Sequence, residues 1–126
     1  MKKNILLILT IAFVFGCSED NQTINQKLIG TWKFENRTDS QGNQIGSIQN
    51  IKFTFETLNF LGNDDDKQLI GTWTLIDSVL TIKATIKGED QWNTEEYLIR
   101  KIDDDKLIFT ENNLSKNEYF NFTKVK

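Results

Sequence analysis

The sequence has no histidine, no proline and a single cysteine, Cys17. Each absence removes a class of chemistry. Without histidine, the Ser-His-Asp and Cys-His arrangements of nucleophilic catalysis cannot form, and zinc sites lose their usual nitrogen ligand. One cysteine allows no internal disulfide and no thiolate metal cluster within one chain. There is no P-loop and no glycine-rich nucleotide fingerprint. The carboxylates fall in turns and at outward strand positions, where solvation accounts for them better than glycosidase chemistry does. The expectation is a protein that is not an enzyme and needs no cofactor or metal. Positive charge is also scarce: the net charge is −3, and Lys2 and Lys3 lie in a segment expected to be removed. An acidic surface offers nucleic acid no basic patch and gives no polybasic grip on an anionic membrane.

Long hydrophobic runs are limited to one. Residues 5–15 read ILLILTIAFVF, behind the positive start Met1-Lys2-Lys3. The run has the length of a signal-peptide core, roughly 7–15 residues, and falls short of the about 20 needed to cross a bilayer. Val14-Phe15-Gly16-Cys17 follows, and then the polar Ser18-Glu19-Asp20. These residues resemble a bacterial lipobox, with an aliphatic residue, a small residue and then the cysteine. The resemblance implies that the Cys17 thiol receives diacylglycerol and that cleavage occurs just before it. The membrane would then be a partner through lipid on Cys17, held by more than one acyl chain, since one alone binds marginally. Ser18-Glu19-Asp20 is similar to the acidic signal that sends Bacteroidetes lipoproteins to the cell surface. The expected location is the cell envelope, as an outer-membrane lipoprotein on the periplasmic face or the cell surface. Residues 1–16 read as signal peptide and residues 17–27 as a lipidated flexible tether.

From residue 28 onward the pattern changes to short runs with period-two alternation, separated by turn residues. Residues 28–36 place Trp32 and Phe34 on one face with Gly30. Residues 47–60 put Ile51, Phe53 and Phe55 on one side and Lys52, Thr54 and Glu56 on the other. Residues 62–66 (GNDDD) read as a turn. Residues 68–76 carry Trp73 and Leu75 on one side, and residues 79–87 carry Leu80, Ile82, Ala84 and Ile86. Residues 91–102 contain Trp92, Tyr97 and Ile99, and residues 106–111 contain Leu107 and Phe109. Residues 118–125 form a last strand whose faces the pattern leaves open, since Phe120 and Phe122 oppose Tyr119 and Val125. The total is seven strands, or eight if 47–60 breaks near Thr57. Short connections force an antiparallel meander, and such a meander loses its open edges by closing into a barrel.

The pentapeptide LIGTW occurs twice, ending at Trp32 and at Trp73. Glycine allows close approach, and a tryptophan two residues later faces the same way. A large ring there plugs one end of a barrel. Gly30-Thr31-Trp32 resembles the G-x-W signature of lipocalins. Phe53-Thr54-Phe55, Gly71-Thr72-Trp73, Leu80-Thr81-Ile82 and Tyr97-Leu98-Ile99 follow in the order found in short lipocalin-like domains of Bacteroidetes lipoproteins. Residues 28–126 are therefore expected to form an all-β, small antiparallel lipocalin-like meander barrel of seven to eight strands. In lipocalins a late arginine packs over the first-strand tryptophan, and Arg100 is the counterpart by this resemblance.

Two functional readings stay open. The first is binding of a small hydrophobic ligand, lined by Trp32, Phe34, Phe53, Phe55, Trp73, Leu80, Ile82, Tyr97 and Phe109. The bulk of these side chains favours a plugged interior over an open one. The second is a non-catalytic interaction or structural module of the envelope, with a filled core and an unknown protein partner. Trp92 beside the turn at Gly88-Glu89-Asp90 reads as a residue at the rim of the core, and an exposed Trp92 would mark a partner surface. Asp64-Asp65-Asp66 and Asp103-Asp104-Asp105 have oxygen ligands but lack the spacing of a calcium loop. Asp77-Ser78-Val79 is similar to the Bacteroidetes O-glycosylation signal on serine.

Overall fold

The computed structural model describes residues 23–112 and 118–126; Cys17, the expected lipobox and the expected signal segment lie outside the described residues. Eight strands follow one helical turn, α1 (Ile24–Leu28). They are β1 (Gly30–Thr38), β2 (Ile51–Phe55), β3 (Asn59–Asp64), β4 (Lys67–Ile76), β5 (Val79–Ile86), β6 (Asn93–Ile102), β7 (Lys106–Glu111) and β8 (Tyr119–Lys124). Each pairs antiparallel with the next, and β8 returns to β1, so the barrel is closed. The expected all-β meander is what forms, with eight strands because the chain breaks after Phe55.

Alternation sets the inside. Trp32 lies opposite Phe53, Phe53 opposite Gly62, Gly62 opposite Leu69, and Trp73 opposite Ile82. The buried core runs through Leu28, Trp32, Phe55, Phe60, Leu80, Leu107 and Phe109. The open question on β8 is settled by register: Phe120 faces Phe109 and Phe122 faces both Phe34 and Leu107. Both phenylalanines therefore point inward.

Four local expectations are corrected. The tether stretch becomes helical from Ile24, because Thr23 and Gln26 form a reciprocal capping box, and Leu28 at its end is fully buried. The turn expected at 62–66 shrinks to Asp65 and Asp66, since Gly62 to Asp64 pair within β3. Trp92 is 51% exposed and sits outside the core. Arg100 falls at a bulge on β6 and donates through Nε to Thr110 Oγ1 (3.2 Å), far from the role the lipocalin pattern implied. Lys124 fills that role, with its Nζ 5.3 Å from the Trp32 ring centroid.

The two glycines of the repeated pentapeptide are needed for space. Gly30 has φ +137°, and a Cβ there would come within 2.7 Å of Lys124 Cε, the methylene that carries the ammonium over Trp32. A Cβ on Gly71 would overlap the Lys83 carbonyl and lie 2.7 Å from Ala84 Cα. Strand β5 runs alongside, with Ala84 paired directly opposite that glycine. Neither neighbour is a flexible tip in the second case, so the backbone itself must move. Gly71→Ala is expected to destabilise the barrel by about 1–3 kcal/mol, the usual range for overpacking, measured as a lowered urea midpoint at unchanged m-value.

Candidate functional site

The barrel has two unlike ends. At one end lie α1, the turns after β2, β4 and β6, and the C-terminal residues. Both tryptophans of the repeat close this end, and both satisfy their indole N–H on a backbone carbonyl. Trp32 Nε1 donates to Leu28 O (2.9 Å), at the end of α1, and Trp73 Nε1 donates to Glu56 O (2.6 Å), in the turn after β2. A buried indole N–H without an acceptor would cost about 1–3 kcal/mol, so these bonds fix which turns cover the floor. Lys124 adds a bond from Nζ to Ile29 O (3.1 Å).

The acidic turn at this end is engaged locally. Asp103 Oδ1 accepts the backbone N–H of Asp105 (2.8 Å) and of Lys106 (2.7 Å), and these bonds hold its carboxyl below the ordinary value. Asp105 pairs with Lys126 at 2.6 Å. Among the described residues no three metal-ligating side chains converge on one point, in either aspartate run. Asp77 and Ser78 both have positive φ (50° and 68°), as the two-residue hairpin between β4 and β5 requires.

Among the described residues, the other end is open. A cavity of about 310 Å³ enters between β1, β2, β6, β7 and β8 and is walled by Phe34, Ile51, Phe53, Phe109, Phe120 and Phe122. Its floor is an aromatic cluster: Phe122 stacks on Phe53 at 5.3 Å and meets Phe109 at 5.0 Å and Phe34 at 5.5 Å. Ser47 and Gln49 from the β1–β2 loop and Arg37 from β1 form a polar rim. A second cavity of about 200 Å³ adjoins it across Phe53 and Tyr97 and is lined by Ile82, Ala84, Asn93 and Glu95 among others.

Arg37 reaches the mouth through a defect in the sheet. Phe34 pairs with Phe122, yet Asn36 pairs with Asn121, so Glu35 is an extra residue on β1. Beyond the bulge the parity of β1 reverses. Arg37 lies opposite inward-facing Phe120, whereas strict alternation from Trp32 would have turned it outward. Tyr97 is the other polar group on the wall. Burial, and then the carboxylates of Glu95 and Glu111, push its phenol up to about 12. It is therefore a neutral hydroxyl at physiological pH, able to donate or accept a hydrogen bond.

Of the nine residues expected to line a ligand site, Phe34, Phe53, Tyr97 and Phe109 line the larger cavity, and Phe53, Tyr97 and Ile82 line the smaller. Trp32, Phe55, Trp73 and Leu80 line neither and pack in the closed half. The sequence reading missed Arg37, Ile51, Glu95, Phe120 and Phe122 as wall residues. Ile51 was legible as an inward residue of its strand; Arg37 was not, because nothing in the local pattern announces the bulge.

No protein-family model matches the sequence. No curated protein matches it either. Among solved structures, a lipocalin-like protein from Bacteroides uniformis superposes with a TM-score of 0.62 at 13% sequence identity, covering 79% of this chain and 99% of that one. The fold is thus lipocalin-like: a closed eight-stranded antiparallel barrel. At that identity the likeness is one of fold, and fold alone does not set function.

The Tyr97 environment gives a measurable consequence. Its folded-state value lies above the ordinary 10.0, so the stability tied to the neutral phenol is complete below pH about 10 and is lost as pH rises toward about 12. In that window the loss should approach roughly 1.4 kcal/mol per pH unit. A tyrosinate absorbance titration should show one phenol ionising near pH 12, and Tyr97→Phe should remove that step. A wild-type titration complete by pH 11 would contradict it.

Proposed function

We propose that this protein is a lipid-anchored, non-catalytic binding protein of the bacterial cell envelope that holds one small, mainly apolar ligand. The observation carrying the proposal is the incomplete filling of the barrel. An eight-stranded interior is narrow enough for its own side chains to fill, yet here the open half keeps about 310 Å³, at the lower bound of ligand pockets. The walls are aromatic and the polar groups few, the usual make-up of such sites. Trp32 and Trp73 stopper only the other end. The lipocalin-like barrel is consistent with this use.

The envelope part rests on Cys17 and its flanking residues. Lipid on Cys17 would tether the chain by a segment that reaches at most roughly 3.3–3.6 Å per residue. That segment leads into α1, which lies beneath the closed end. An anchor so placed holds the stoppered end toward the bilayer and leaves the mouth facing away, open to soluble ligands. Ser18-Glu19-Asp20 supports display at the cell surface. Mass spectrometry of the protein from its own host should find residue 17 as the first residue and carrying acyl chains, and Cys17→Ala should abolish both cleavage and membrane retention. An unmodified Cys17 in a secreted product would sink the anchor.

Ligand binding is tested separately. Native mass spectrometry of host-derived protein should reveal a bound small molecule, and an environment-sensitive apolar dye should bind saturably. Ile51→Trp, which fills the mouth from the first residue of β2, should abolish dye binding while leaving the melting temperature unchanged. Dye binding that persists in this variant would place the dye elsewhere and count against the cavity. One observation favours a second reading, an interaction module: exposed Trp92 flanks a shallow outer groove with Leu61 and Ile70. Trp92→Ser should leave dye binding intact and, on this second reading alone, weaken capture of an envelope protein.

A further inference from the structure

We infer that the larger cavity takes an amphiphilic anion, with a carboxylate-like head on the Arg37 guanidinium and an apolar body against Phe34, Phe53 and Phe122. The inference rests on the ligand-binding reading above and narrows its chemistry. Among the described residues lining that cavity, Arg37 alone is charged. It stands there because of the Glu35 bulge, and bulges at barrel rims serve to re-aim side chains.

The β1–β2 loop folds back on Arg37. Ile45 N donates to the Arg37 main-chain carbonyl (2.7 Å), and a Cβ on Gly46 would sit 3.0 Å from Arg37 Nη2. The loop therefore passes the guanidinium at van der Waals distance, and Gly46, Ser47 and Gln49 complete the rim. Arg37 already faces one carboxylate. Glu118 Oε2 lies 3.7 Å from Nη1, longer than a good charged hydrogen bond, with both side chains about a third exposed. Such a pair is weak and leaves most of the planar donor fork free for a bidentate partner. A ligand carboxylate would replace Glu118 like for like.

A neighbouring charge orients the ligand. Glu95 lines the adjoining cavity on the β6 side of Tyr97. It repels an anionic head there and directs it to β1. The cavity has the volume of on the order of ten water molecules, at about 30 Å³ each. That suits a short chain or a single ring and excludes a two-chain lipid.

The test uses the full chain in lipid nanodiscs, with empty nanodiscs as the blank, titrated with hexanoate, hexanol and hexylammonium. Shifts of the Ile51 methyl resonances report entry into the cavity. Hexanoate should bind tighter than the other two. Arg37→Gln should weaken hexanoate by about 10- to 100-fold, the loss of one charged hydrogen-bonding partner, and leave hexanol unchanged. Arg37→Lys should retain part of the preference, and Glu118→Gln should tighten hexanoate by removing its competitor. Thermal melts of each variant show that the fold is kept. Equal affinities for hexanoate and hexanol, or equal losses of both in Arg37→Gln, would overturn the anionic head while leaving the apolar cavity standing. Preference for hexylammonium would overturn it in favour of Glu95. If none of the three probes moves Ile51, the ligand-binding reading itself falls.

Discussion

The closed end is organised around two indole N–H groups that must be satisfied without water. Trp32 and Trp73 are the largest side chains available to block a barrel, and each brings a donor into the apolar interior. Leu28 O and Glu56 O supply the acceptors. Much else at this end follows. Leu28 is brought under the barrel with α1 attached, and the chain after Phe55 must turn where Glu56 can present its carbonyl. Gly30 must lack a Cβ so that Lys124 can lie across the Trp32 ring. The ammonium over Trp32 adds about 0.5–1 kcal/mol at such a partly exposed site, and its bond to Ile29 O ties the last strand to the entry of the first. The repeated pentapeptide is thus one solution used twice. In each copy glycine clears a path for a neighbour, and the tryptophan two residues on plugs the space below.

This concentration of packing explains how the other half remains open. The fully buried large side chains are Trp32, Phe55, Phe60, Phe109, Leu28, Leu80 and Leu107. Most lie toward the closed end, whereas Ile51, Phe53, Tyr97 and Phe120 are only partly buried and edge the mouth. A large aromatic side chain removes 150–250 Å² from water wherever it sits. Collecting the tryptophans at one end lets the barrel hold together without filling the other. The phenylalanines that remain pack edge-on and stacked around Phe122 and form the floor of the cavity.

Much of this was legible in the residues. Strict alternation identified Ile51, Phe53 and Phe55, and Leu80, Ile82 and Ala84, as inward sets, because a half-buried strand repeats every two residues. The glycine–tryptophan spacing marked the stopper. What escaped did so for physical reasons. The faces of β8 were ambiguous because both carry large hydrophobic side chains, Tyr119 and Val125 on one and Phe120 and Phe122 on the other, so only pairing with β7 and β1 decides. The bulge at Glu35 leaves no local mark, since an extra residue changes parity without changing composition, and Arg37 fell beyond the strand expected over 28–36. Arg100 and Lys124 are both cations on late strands. Choosing between them needs the barrel closed, because only then does β8 lie beside β1. Trp92 looked like core from its hydrophobicity, yet it precedes β6 and stays outside.

The bulge is where fold and function meet. A regular β1 would have finished the mouth with Asn36 and Thr38 facing inward, two neutral polar groups with little power to select a ligand. Instead Asn36 faces out and is held by Asn121, whose amide donates to Asn36 Oδ1 (3.0 Å) and to Thr38 Oγ1 (3.1 Å). This outward network gives the polar side chains partners away from the cavity and steadies the irregular pairing. The inward position passes to a guanidinium, with its planar fork of N–H donors. An extra residue costs ladder hydrogen bonds, and a strand selected for stability alone would gain by omitting it. Its presence at the open rim, with an asparagine clamp outside and a glycine-containing loop wrapped around the arginine, fits a barrel whose open end is shaped for a ligand.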